Sequence, residues 1–204
     1  MGHKCFISFK KEDLEFKDKL VKKFEESEVI DKTLDKEIIS DDGEYIMKVI
    51  RKNYLKDSTV TIFLIGEHSS EKEGKDFWGL EKNYFIQKEL QASLYNGEEN
   101  TRNGLIGVVL PNMYNKIYKG DAICSKCNGI HRILEMNDDT VIREFSMNYF
   151  IKPNEKCYWS EEDRYAILVK WEDFYDSPEI YIDKAFEKRS HPIANKVKIY
   201  RLRE

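Results

Sequence analysis

The sequence predicts a doubly wound α/β fold, with a mostly parallel five-stranded sheet and helices on both faces. Three observations predict it. The run 58–65 is apolar and β-branched almost throughout and stops at Gly66. A strand without polar alternation is buried on both faces, as in parallel sheets covered by helices. A second such run, 105–110, is ended by Pro111. Around these runs, strand-like and helix-like segments alternate in the order β-α-(β)-α-β-α-β, which calls for right-handed crossovers.

Taken in order, residues 4–9 read as the first strand. A polar helix start follows at Lys10, Lys11, Glu12 and Asp13, and Leu14, Leu20, Val21 and Phe24 recur at helical spacing to about residue 28. Residues 29–31 read as a short edge strand and 32–39 as a charged loop. Asp41 with Glu44 three residues on resembles a capping box, opening a helix that buries Ile46, Val49, Ile50 and Tyr54. The helix at 85–94 can be tested by angle. At about 100° per residue, Phe85, Ile86, Leu90, Ala92 and Leu94 fill one arc, and Gln87, Lys88 and Gln91 the other. Glu89 falls inside the apolar arc, where a carboxylate must be paired or face a cleft. Turn signals at Asn96-Gly97 and Asn103-Gly104 precede the run 105–110. Residues 111–160 read as an irregular insertion with one short helix near 141–149. The fifth strand is expected at 164–171 and a last helix at 180–188, before Pro192. The reading is a single domain, 1–204, with its core at 4–110 plus 164–190.

The bulk properties narrow the function. The chain has 204 residues, 41% of them apolar, with 34 basic against 38 acidic side chains and a formal net charge of −4. That is enough for a core, and it argues against a dedicated nucleic-acid binder, which would be basic. No stretch approaches the roughly 18 apolar residues of a membrane span. The N-terminus lacks a signal-peptide apolar region, and Phe6 stands where a myristoylation signal needs Ser or Thr. The expectation is a cytoplasmic protein with neither a nucleic-acid nor a membrane partner. Four cysteines stand at 5, 124, 127 and 157. Cys124 and Cys127 have half of a zinc-site spacing, with His131 and Cys157 as further candidate ligands. The second half lacks paired ligands, so unligated loop thiols are the default expectation.

Phe6-Ile7-Ser8-Phe9 before an acidic helix start, and Asp57-Ser58-Thr59-Val60-Thr61 leading into Phe63-Leu64-Ile65-Gly66, resemble bacterial TIR-like domains, most closely the ThsB family of Thoeris anti-phage defence. The resemblance covers about 4–110 well and 167–186 more loosely. It implies a flavodoxin-like, TIR-like sheet. It also implies that Glu89, in Phe85-Ile86-Gln87-Lys88-Glu89-Leu90, holds the family's catalytic position. The departure is the loop 67–84, which replaces a compact basic Trp-Val segment, with Phe85 in the Trp-like place. NAD would be the substrate rather than a bound cofactor, cleaved between nicotinamide and ribose. The product, ADP-ribose or a cyclic form of it, would signal to a partner effector. A phage-derived activator and self-assembly are the further partner expectations.

In such sheets ligands sit beyond the carboxyl ends of the strands. Ser8, Phe9, Lys10, Gly66 and His68 are the substrate-binding candidates there. Asp41 and Asp42 would meet ribose hydroxyls, and Phe85 or Phe9 would stack on a ring. Each has a plainer reading: core aromatics, a solvated helix start, helix capping, a lone loop histidine. The competing function is a non-catalytic TIR-like scaffold acting through protein assembly. A phosphoacceptor receiver would need an aspartate ending the third strand, where Ile65-Gly66 stands, and no phosphate-cradling GxGxxG or Walker loop is present.

Overall fold

The strands and helices of this computed structural model follow one another as the alternating pattern requires. Residues 2–25, 30–31, 43–74, 83–97, 100–151 and 155–200 are described. The charged loop 32–39 and the ribose-contact candidates Asp41 and Asp42 lie outside them. Strand β1 (Lys4–Ser8) leads through a 3₁₀ turn (Lys11–Asp13) into helix α1 (Leu14–Glu25) and edge strand β2 (Ile30–Asp31). Helix α2 (Gly43–Ile50) continues as a π turn (Arg51–Leu55) before β3 (Val60–Ile65), α3 (Tyr84–Leu94) and β4 (Gly104–Val109). The insertion holds α4 (Tyr114–Ile117), β5 (Tyr118–Ile123), β6 (Ile130–Leu134) and α5 (Arg143–Tyr149). Strand β7 (Ile167–Lys170), α6 (Trp171–Asp176) and α7 (Pro178–Lys188) follow, with a 3₁₀ segment (Pro192–Lys196) after them.

The main sheet has the order β2-β1-β3-β4-β7, and every pairing in it is parallel. The predicted five-stranded doubly wound sheet is what forms. All six positions of β3 and of β4 are buried, as their unbroken apolar runs demand. Alternate residues serve opposite faces. Phe63 and Ile65 pack with Ile86, Leu90 and Leu94 of α3 and Phe145 of α5. Ile62 and Leu64 pack with Leu20 and Phe24 of α1, Phe174 of α6 and Ile182 of α7. Phe6 meets Ile46 and Ile50 of α2 in a third cluster. Gly104 fits because α7 crosses it so closely that a Cβ would lie 2.1 Å from the Ala185 carbonyl oxygen.

Four expectations are corrected. The insertion is not irregular: β5 and β6 pair as an antiparallel hairpin, Ile123 opposite Ile130 and Asp121 opposite Arg132. Its strands are mostly exposed on both sides, so no apolar alternation marked them. Leu14 is exposed while Asp13 is buried, because the 3₁₀ turn winds three residues per turn and shifts the phase of the helix that follows. The region after β7 holds two helices, α6 and α7, where one was expected. Finally, the polar arc of α3 is not solvated. Gln87 and Gln91 are buried; Gln87 donates to Glu71 at 3.1 Å, and Gln91 donates to Glu144 at 2.6 Å and to the Tyr200 carbonyl at 2.8 Å. Helix α5 and the C-terminal stretch cover that face, which local periodicity cannot foresee.

Candidate functional site

In a sheet of this order the topological switch lies between β1 and β3. Helix α1 leaves β1 toward one face and α3 leaves β3 toward the other, and folds of this order carry their ligands at that point, beyond the strands' carboxyl ends. Ser8 is the last residue of β1, in register with Phe63. Its hydroxyl donates to Oε2 of Glu89, on α3, at 2.7 Å. Glu89 is 6% exposed. Burial pushes its carboxyl up to about 7, with the Ser8 hydrogen bond pulling the other way. Among the described residues no lysine or arginine forms an ion pair with it. Among the described residues the carboxyl thus has neither a cationic partner nor much solvent, and a buried carboxyl so placed is a candidate functional group.

A second carboxyl stands at the same rim, and sequence reasoning treated it as a helix start. Asp13 is 5% exposed, and its Oδ2 has no hydrogen-bond partner among the described residues. Burial and then the charge of Glu12 push its carboxyl up to about 6, while His68 and Lys10 draw it back. It packs on the chain where β3 ends: a Cβ at Gly66 would lie 2.2 Å from its Oδ2. Gly66 thus contributes space for a neighbouring carboxyl. The lone signal in the sequence was Asp13's place just past the first strand's carboxyl end.

The other candidates scatter. Lys10 and His68 face Asp13 electrostatically, and the His68 ring nitrogen Nδ1 sits 2.8 Å from Glu73. Phe9 packs against the cluster under α1 and α7, while Phe85 packs on the α2 cluster with its ring edge-on to Tyr84. The two half-buried rings pack on opposite sides of the sheet. Asn83 ties the entrance of α3 to the loop after β3, donating to the carbonyls of His68 and Ser70. A third buried carboxyl, Glu144, is also pushed up to about 7 by burial, against the pull of Gln91. It belongs to the α3–α5 contact and not to the rim.

Other features lie elsewhere. A cleft of about 760 Å³ runs between the hairpin and β7, bordered by Arg132, Arg164 and Lys170, and one of about 360 Å³ lies between β7 and α7. Neither is lined by Ser8 or Glu89. Cys124, Cys127, His131 and Cys157 converge at the hairpin's end. Among the described residues, no helix is long and apolar enough to cross a membrane.

A parallel sheet of this order, with a buried carboxyl at its switch point, is the flavodoxin-like architecture that TIR-like domains share. Residues 6–115 match the family described as Thoeris protein ThsB, TIR-like domain; this is more than half of the 204 residues, and the chain belongs to that family. It is a TIR-like domain of the Thoeris defence type. The matched region runs from β1 through β4 and includes both Ser8 and Glu89. No solved structure matches the chain.

Proposed function

We propose that this domain cleaves the nicotinamide–ribose bond of NAD, with Glu89 as the catalytic carboxylate. The observation that carries the reading is the buried Glu89, held by Ser8 at the switch point and without a cationic partner among the described residues. Nicotinamide leaves as a neutral molecule, so no proton need be delivered to it, and the transition state resembles an oxocarbenium ion. A carboxylate beside the ribose stabilises that cation in a water-poor site. Glu89 must be ionised to act. Bound NAD brings a cationic ring into the crevice, which draws the raised carboxyl pKa down again. Ser8, donating to one oxygen, fixes the carboxylate's orientation. Capture of the sugar by water yields ADP-ribose; capture by an adenine nitrogen or ribose hydroxyl of the same molecule yields a cyclic nucleotide. Exclusion of water favours the second, a messenger for a partner effector. A phage component or self-assembly would complete the site.

Incubation with NAD, alone and with phage-infected lysate, followed by mass spectrometry of the nucleotides, tests this. Wild-type protein is expected to consume NAD, and Glu89→Gln to lose about 10²-fold or more in rate with an unchanged circular dichroism spectrum. Ser8→Ala loses less. The kcat/KM of the wild type is expected to rise with pH through about 7, as free Glu89 ionises. NAD left intact under every condition would favour the scaffold reading instead.

A further inference from the structure

Two chain segments far apart in sequence meet at the hairpin's end. The ligand atoms of Cys124, Cys127, His131 and Cys157 all lie within 4.8 Å of one another. His131 Nε2 is 3.1 Å from the Cys127 sulfur and 3.6 Å from that of Cys157. A tetrahedral zinc ion with Zn–S about 2.3 Å and Zn–N about 2.0 Å separates its ligands by roughly 3.5–3.8 Å. Closing this cluster on such an ion therefore takes shifts of about 1 Å or less.

The local backbone is already shaped for it. The Lys126 amide donates to the Cys124 sulfur, and the Gly129 amide to the Cys127 sulfur, each at 3.4 Å and each two residues beyond its cysteine. Asn128 takes a left-handed φ of 57°, turning the chain between the two halves of the loop. Amides aimed at sulfur stabilise thiolate over thiol and orient it. The His131 ring is stacked on Tyr158 at 5.0 Å and 22°, which holds its plane. The plain alternative is a set of unligated thiols, or a disulfide. A disulfide would use two of three neighbouring sulfurs and leave the third, and the imidazole, without a role.

We propose that these four residues bind a single Zn²⁺ as a closed structural site. Three thiolates and one imidazole suit zinc rather than a hard cation, and four protein ligands leave no position for substrate. Binding releases the thiol protons and uses neutral His131. The ion would tie the hairpin to the segment around Cys157, which an exposed two-stranded hairpin needs to hold its place. The proposal is independent of the NAD chemistry.

The test is metal analysis of the full chain purified from zinc-supplemented culture without a metal-affinity step. The expected result is about one zinc per chain, lost in Cys124→Ser/Cys127→Ser and in Cys157→Ser. Cobalt(II) added to the stripped wild type is expected to give a thiolate charge-transfer band and the intense visible bands of tetrahedral cobalt. This second readout does not depend on the variants folding. Metal-free protein whose thiols alkylate freely and give no cobalt–thiolate band would overturn the proposal. So would zinc retained in full by the double variant, or a disulfide among the three cysteines under reducing handling.

Discussion

The sheet body and the hairpin insertion are built on different physics. In the body, β3 and β4 are buried at every position and their alternate side chains feed two separate cores. In the hairpin, β5 is exposed along nearly its whole length, and Ile123 and Ile130, paired across the strands, are 76% and 71% exposed. The body is held by apolar burial. The hairpin is held by its backbone ladder, its docking at the Tyr118 end and the side-chain cluster at Cys124. The family match, 6–115, stops just before the hairpin begins at Tyr118. The proposed chemistry thus sits in the part of the chain held by apolar burial, and the hairpin is an appendage whose order is locally determined.

The largest break in this comparison is a cavity in the body. Phe63 is fully buried with its ring 6.0 Å from that of Phe145. Phe63→Ala is expected to cost about 3–5 kcal/mol, read as a lower midpoint in urea unfolding. A cost below about 1 kcal/mol would mean that β3 is not the centre of the core.

The next effect separates two buried glutamates within the body. Glu89 and Glu144 both have carboxyls raised to about 7 by burial, from an ordinary value of 4.5. A raised acid binds its proton more tightly in the folded chain, so its stabilising share is full below about pH 4.5 and is lost as pH rises through about 7. Wild-type stability should therefore fall between pH 5 and 8, by on the order of 3 kcal/mol from Glu89 at most. Glu89→Gln should match wild type near pH 5 and exceed it near pH 8, gaining stability where it loses activity. Glu144→Gln should flatten the same slope and keep the activity. Equal pH slopes in Glu89→Gln and wild type, measured by thermal unfolding, would contradict the burial of Glu89.

These elements also mark what the sequence made legible. The strands of the body were plain because burial on both faces leaves an unbroken apolar run, and Glu89 was plain because it interrupts an apolar arc. Asp13 was not, since a 3₁₀ turn changed the phase ahead of α1. The burial of Gln87 and Gln91 depends on α5 and on Tyr200, remote in sequence. The hairpin escaped because strands exposed on both sides carry no period. The cysteine cluster needed the fold as well: Cys157 lies 26 residues from His131 and reaches it across a loop connection.

The smallest expected effect tests the hairpin's independence. Ile130→Ala removes an exposed side chain whose cross-strand partner, Ile123, is exposed too. Global stability should stay within about 0.5 kcal/mol of wild type, because no core loses a contact. What should change is local: amides of β5 and β6 exchange faster, while those of β3 and β4 keep their protection, since separate regions of one fold open with separate free energies. Hydrogen exchange on both regions, set beside the urea midpoint, reads the two quantities at once. A midpoint shifted as far as in Phe63→Ala would make the hairpin part of the same cooperative unit as the sheet, and the distinction between the two regions would fail.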